Sequence, residues 1–148
     1  MTQIALDSST VLTWLLQERR WQAVDALLKK PDIEFVLPGP ALTEIIWIAR
    51  KNGNVSAGAA IAAALRVHGM RVEPANEGDL LRAAEILEIS KKNPGPVAPK
   101  TNLPATLSLG DAIILAITDR LGCQIVTRDS YWNWLVTKGL LDIKVQPL

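Results

Sequence analysis

The 148-residue chain is poor in the groups on which much enzyme chemistry rests. Its single cysteine, Cys123, allows no disulfide within the chain and suits a reducing compartment. Cys123 stands in "RLGCQIVT", just ahead of an apolar run, and reads as buried packing. The one histidine, His68, cannot supply a two-histidine acid–base pair, and without a Cys/His cluster a structural zinc site is not expected. His68 sits before Gly69 at a predicted helix end, where a cation suits the helix dipole. Neither phosphate-binding glycine pattern, GxxxxGK or GxGxxG, occurs. There is also no charge excess. Sixteen Lys and Arg against fifteen Asp and Glu leave +1, which excludes a simple basic nucleic-acid binder but not local basic patches. No apolar stretch approaches the ~20 residues that span a bilayer. No basic segment precedes an apolar one near Met1, as it would in a signal peptide. A soluble, cytoplasmic protein with no membrane partner is expected.

What is present is an ample core composition. Hydrophobic residues make up 49% of the chain, enough for one globular domain over residues 1–148. Five Trp against one Tyr and one Phe put unusual weight on a side chain that suits cores and interfaces. Short apolar runs alternate with helical patterns. Strands are expected at "QIAL", "EFVL", "MRVEPA", "QIVT" and "LDIKVQ". Helices are expected at "STVLTWLLQ", "RWQAVDALLKK", "PALTEIIWIARKNG", "SAGAAIAAALRVHG", "NEGDLLRAAEILEISKK", "SLGDAIILAITDRLG" and "SYWNWLVTKG". In "NEGDLLRAAEILEISKK" the apolar stripe is assigned to Leu80, Leu81, Ala83, Ala84 and Leu87. The alternation predicts an α/β fold of three layers, with a mostly parallel central sheet between helices. A proline-rich loop at about 92–107 breaks the rhythm, and its four prolines and one glycine preclude regular structure.

With histidine and cysteine chemistry excluded, carboxylates remain. Asp7 ends the first strand, and Asp129 follows "QIVTR" at the end of a late one. In a parallel sheet both lie on the carboxyl edge, where such sheets present their sites. Asp111 lies in the first turn of a helix, at capping-box spacing from Ser108. Glu44 is placed by helical spacing on the stripe of Ala41, Ile45 and Ile48, where an unpaired carboxylate is costly. Taken singly, Asp7, Asp111 and Asp129 are also what a helix cap requires. Taken together, acids that converge on one edge repel each other, and a divalent ion relieves the repulsion. Oxygen donors without histidine favour hard ions, Mg2+ or Mn2+, which commonly serve phosphate chemistry.

The ordered set "LDSS", "LTEIIW", "SLGDAIILAIT" and "IVTRD" resembles the PIN-domain nucleases, and is especially similar to the VapC-type toxins of bacterial toxin–antitoxin pairs. The resemblance spans almost the whole chain. It implies a three-layer α/β/α fold, often a homodimer, that cuts RNA with Mg2+ or Mn2+ and is blocked by a cognate antitoxin. The family's acidic quartet falls on Asp7, Glu44, Asp111 and Asp129, as metal ligands and catalytic groups. Ser9 and Thr127 match hydroxyls that support that site, with Ser8 or Ser9 taking the cap and leaving the Asp7 carboxylate free. The loop at about 92–107 is longer than a minimal member has, and its Lys91, Lys92 and Lys100 are candidates for phosphate contact or antitoxin contact. Arg19, Arg20, Arg50, Lys51 and Arg128 are further bases for backbone contacts. Two other readings stay open: a catalytically silent binding module that acts through a protein partner, and a metal-dependent phosphatase. Against the latter, Ser9 stands where a second aspartate is usual, two residues after the first.

Overall fold

A computed structural model describes residues 1–148. Five strands, β1 (Thr2–Leu6), β2 (Ile33–Pro38), β3 (Met70–Glu73), β4 (Gln124–Thr127) and β5 (Lys144–Pro147), form one sheet. Their order is β3-β2-β1-β4-β5, and every pairing is parallel. Seven helices cover it: α1 (Ser8–Leu15), α2 (Trp21–Leu28), α3 (Gly39–Lys51), α4 (Gly58–Val67), α5 (Glu77–Lys92), α6 (Leu109–Leu121) and α7 (Ser130–Thr137).

The central strand shows why both faces are needed. Side chains alternate along a strand, and β1 is apolar at consecutive positions, so neither face tolerates water. Ala5 and Ile125 point into one core with Ile114, Leu115, Trp132 and Leu135. Leu6 and Val126 point into the other, with Val11, Leu12, Ile45 and Leu65. The register sets Ile4 beside Phe35 on one side and Leu6 beside Val126 on the other. The chain builds outward from β1 to β3, returns through α5 and α6, and adds β4 and β5 on the far side of β1. Connections leave β1 and β4 in opposite directions, so a crevice opens at their carboxyl ends.

Two expectations are corrected. The first concerns α5, which buries Asp79, Ala83, Ile86 and Ser90 and leaves Leu80 and Leu81 51% and 66% exposed. The cause is polar. Asp79 forms a capping box with Asn76 and accepts from Arg120 Nε of α6 at 2.9 and 3.1 Å. This pairing turns the Asp79 side of α5, not the leucines, toward α6. The second concerns the proline-rich segment, which is a narrow arm with ladder-like pairing. Gly95 N–H donates to Ala105 O, Ala98 N–H to Leu103 O, and Val97 bridges Pro104. The prolines leave the neighbouring residues' N–H groups free to pair across the arm. Asn102 near the tip takes φ 57°, a left-handed conformation that asparagine tolerates. The arm is seated by Tyr131, whose hydroxyl donates to Asn93 O at 2.7 Å.

Candidate active site

Asp7 lies in the crevice. It is only 4% exposed, one residue beyond β1, and its N–H continues the ladder by donating to Val126 O. Both its oxygens are engaged. Oδ1 accepts from Ser8 N–H at 2.8 Å, and Oδ2 accepts from the Ser9 hydroxyl at 2.8 Å and the Thr127 hydroxyl at 2.9 Å. Asp7 is therefore its own helix cap for α1; Ser8 and Ser9 do not take that role from it. Cap residues are extended, and Asp7 at φ −72°, ψ 156° fits. Burial pushes its carboxyl above the usual range. The Ser9, Thr127 and Ser8 hydrogen bonds oppose the rise, and the Glu44 charge adds to it.

Ser9 and Thr127 thus stand where the sequence places them, against Asp7. Ser9 Oγ also accepts from Arg128 N–H at 3.0 Å, and Thr127 Oγ1 from Asp129 N–H at 3.0 Å. These hydroxyls join the end of β4 to the start of α1. Asp129 caps α7 through one oxygen, Oδ1, which accepts from Tyr131 N–H at 3.0 Å. Asp111 holds the third position of α6, in a capping box with Ser108: Ser108 N–H donates to Asp111 Oδ2, and Asp111 N–H to Ser108 Oγ, both at 3.1 Å. Burial raises the Asp111 carboxyl to about 6, against the Ser108 hydrogen bonds, and the negative charges of Asp7 and Asp129 push it the same way. Three helix N-termini therefore bring an aspartate each to one region.

Glu44 departs from its expected setting. α3 buries Ala41, Ile45 and Ala49, and Glu44 is exposed beside that stripe. The buried face follows the four-residue spacing, which leaves Glu44 at its solvent border, so no desolvation cost attends it. It belongs with the others only through its charge on Asp7. As the side chains stand, no three acids close around a common point as ligands of one ion. The donor set is nevertheless oxygen-only and mutually repelling, with the Asp7 and Asp111 carboxyls both raised, which is the chemistry a hard cation relieves. Arg128, the nearest basic residue in sequence, is drawn away onto α1: its Nη1 donates to Thr13 Oγ1 at 2.9 Å and pairs with Glu18 at 3.3 Å.

One neighbouring feature goes beyond the sequence expectations. A groove of ≈ 360 Å3 runs beside Asp129, between the arm and α7, lined by Pro96, Val97, Tyr131 and Trp134. The three-residue spacing of Tyr131 and Trp134 was the available signal, since it stacks them on one helix face. Their ring centroids are 5.7 Å apart.

The family model described as PIN domain matches residues 4–133. No curated protein sequence matches the chain. Several solved structures share its fold. VapC20 of Mycobacterium tuberculosis, described as a sarcin–ricin loop cleaving toxin, is 19% identical with a TM-score of 0.67, over 95% of this chain and 98% of that one. VapBC-1 of nontypeable Haemophilus influenzae is 17% identical with a TM-score of 0.66, over 99% and 98%. VapBC2 of Rickettsia felis, bound to a promoter DNA fragment, is 10% identical with a TM-score of 0.66, over 99% and 98%. At these identities the likeness is one of fold. The family-model match covers most of the chain, and with it the chain belongs to the PIN domain family.

Proposed function

We propose that this protein is a metal-dependent endoribonuclease, the toxin of a toxin–antitoxin pair, which hydrolyses phosphodiester bonds in RNA. The observation that carries this is Asp7, a carboxylate buried at the switch point of the sheet and within electrostatic reach of Glu44 and Asp111, with Asp129 beside Asp111. Asp7, Asp111 and Asp129, with Glu44 at the rim, would hold Mg2+ or Mn2+. When bound, that ion supplies a Lewis acid for the phosphodiester and a means of activating water. The chain's own part is to fix the acids. Ser9 and Thr127 orient Asp7, Ser108 orients Asp111, and the Tyr131 amide orients Asp129. The toxin assignment is supported by the shared fold with VapC20 and the VapBC toxins, and with it come a cognate antitoxin, a homodimer and a cytoplasmic site of action.

The test is RNA cleavage in Mg2+ or Mn2+ by Asp7→Asn and Asp111→Asn proteins that keep the wild-type circular dichroism. Both are expected to lose cleavage. A folded variant that cuts at the wild-type rate would overturn the assignment. Induced expression with 5′-end mapping then identifies the RNA, and co-expression with any small gene found beside its own tests the antitoxin.

A second reading is favoured by one arrangement: Asp7 and Asp129 cap helices, Asp111 completes the capping box of Ser108, and no three acids close on a point. On that reading the protein is a silent binding module, and calorimetric titration with Mn2+ would show no heat of binding.

A further inference from the structure

We infer that the groove between the proline-rich arm and α7 is a stacking site for a nucleobase of a single-stranded RNA whose phosphate lies at the neighbouring acids. The inference rests on the ribonuclease reading and adds how the substrate is gripped.

Four features point to this occupant. The groove is continuous with the acid site, because Asp129 lines both. Its walls suit a flat, neutral ring: Trp134 is half-buried and stacked on Tyr131, and Val97 opposite is 55% exposed. The carboxylate at its mouth disfavours a phosphate inside it, so the base enters and the backbone stays outside. Lysines border it along the chain. Lys138 holds its ammonium 5.7 Å from the Trp134 ring centroid, Lys91, Lys92 and Lys100 lie on the arm and its root, and no acid occurs between Glu88 and Asp111. This charge suits the phosphates on either side of a splayed base, and aromatic stacking with a basic margin is how unpaired strands are held.

The arm is built for that position. Gly95 passes so close over Tyr131 that a Cβ on it would stand 2.7 Å from Cε1, so glycine lets the arm lie against the ring. The Tyr131 hydroxyl bonds to the arm's root and leaves only the outer part of the aromatic pair to a ligand. Lys138, which covers Trp134 in the free protein, would be released by an incoming base to reach a phosphate.

The experiment measures binding by anisotropy of a fluorescein-labelled random-sequence 12-nucleotide RNA, in Mg2+, to Asp7→Asn protein, so that nothing is cut. Into that parent are placed Trp134→Ala, Trp134→Phe and Val97→Ser. Loss of one stacked base weakens binding by about 5- to 150-fold. Trp134→Ala is expected in that range, Val97→Ser below it, and Trp134→Phe within a few-fold of the parent. An oligomer of the same length with abasic sugars should bind the parent and Trp134→Ala equally. RNA carrying 2-aminopurine should be quenched by the parent and not by Trp134→Ala, which separates stacking from a general loss of fold. Equal RNA affinity of Trp134→Ala and parent, or an abasic oligomer held as tightly as RNA, would overturn the inference. So would variants that lose a protein antitoxin and keep RNA. If the wild-type protein neither binds nor cuts RNA, the ribonuclease reading falls and takes this one with it. If it cuts RNA and Trp134→Ala cuts with unchanged KM, only the stacking site falls.

Discussion

Ser9 and Thr127 spend their hydroxyl hydrogens on one oxygen of a carboxylate that is almost wholly buried. Removing either leaves that oxygen with one donor fewer. It raises the Asp7 carboxyl further and frees its rotamer, the usual consequence of losing a group that orients a ligand. Ser9→Ala is therefore expected to lower RNA cleavage by about 10- to 100-fold. Its apparent Mn2+ affinity should fall in parallel, measured by titrating activity against the ion. Asp111 gives a separate readout in the metal-free protein. Its folded carboxyl lies at about 6 against an ordinary 3.8, so below the ordinary value both states are protonated and it costs nothing. As pH rises from there the unfolded state ionises first, and stability is lost until the folded group ionises near 6. Asp111→Asn removes this loss and can keep the bond from Ser108 N–H. The variant should gain about 1–2 kcal/mol over wild type at pH 8, and nothing at pH 3.5, in urea unfolding with EDTA. A gain equal at both pH values would show that the carboxylate's charge is not the cause. Asp7, Asp111 and Asp129 were legible in the sequence because each follows a strand or opens a helix. The reason assigned to Glu44 was not sound: spacing located the apolar stripe of α3, but one residue at its border can face either way.

At the scale of elements, the strands and helices lie close to where alternation, proline and glycine place them. "QIVT" is β4 to the residue, and Gly122 ends α6 at φ 63°, as a left-handed helix terminus should. The face of α5 was not legible, because one buried carboxylate decides it and its cationic partner lies forty-one residues away. Asp79 is 2% exposed, and Arg120 also reaches Glu73 Oε1 at 3.2 Å and Pro74 O at 3.3 Å. Arg120→Ala leaves a buried carboxylate with its cap bond alone. It should cost roughly 2 kcal/mol at neutral pH, since breaking one side of such a pair costs more than the pair contributes. Arg120→Ala with Asp79→Asn should recover much of that loss in a double-mutant cycle. Additive losses would show that the two do not act together. The arm was partly legible: four prolines announced an interruption, but the pairing across it depends on the N–H groups the prolines leave free.

Across the whole molecule, local pattern showed a mostly parallel sheet but could not order its strands, since pairing joins residues more than a hundred positions apart. That order is what brings the acids to one crevice, because β1 and β4 are neighbours whose connections diverge. The same placement has an energetic consequence for the entire fold. Asp7 bridges the two halves of the sheet, accepting from Ser9 on α1 and Thr127 on β4, while Asp111 arrives on the return crossover. Repulsion among these carboxylates acts between halves, so an ion that binds them should raise global stability. At a hundredfold excess over its Kd, a ligand confined to the folded state adds about 2.7 kcal/mol. For a chain of this size that is roughly 5–10 °C in Tm. The rise on adding Mn2+ should be full at pH 8 and shrink as the pH falls through about 6, where Asp111 takes a proton that competes with the ion. Asp7→Asn should abolish it, while Arg120→Ala, distant from the acids, should lower Tm and leave the Mn2+ increment intact. A rise in Asp7→Asn as large as in wild type would mean that the ion binds elsewhere, and that the crevice holds its acids as caps alone.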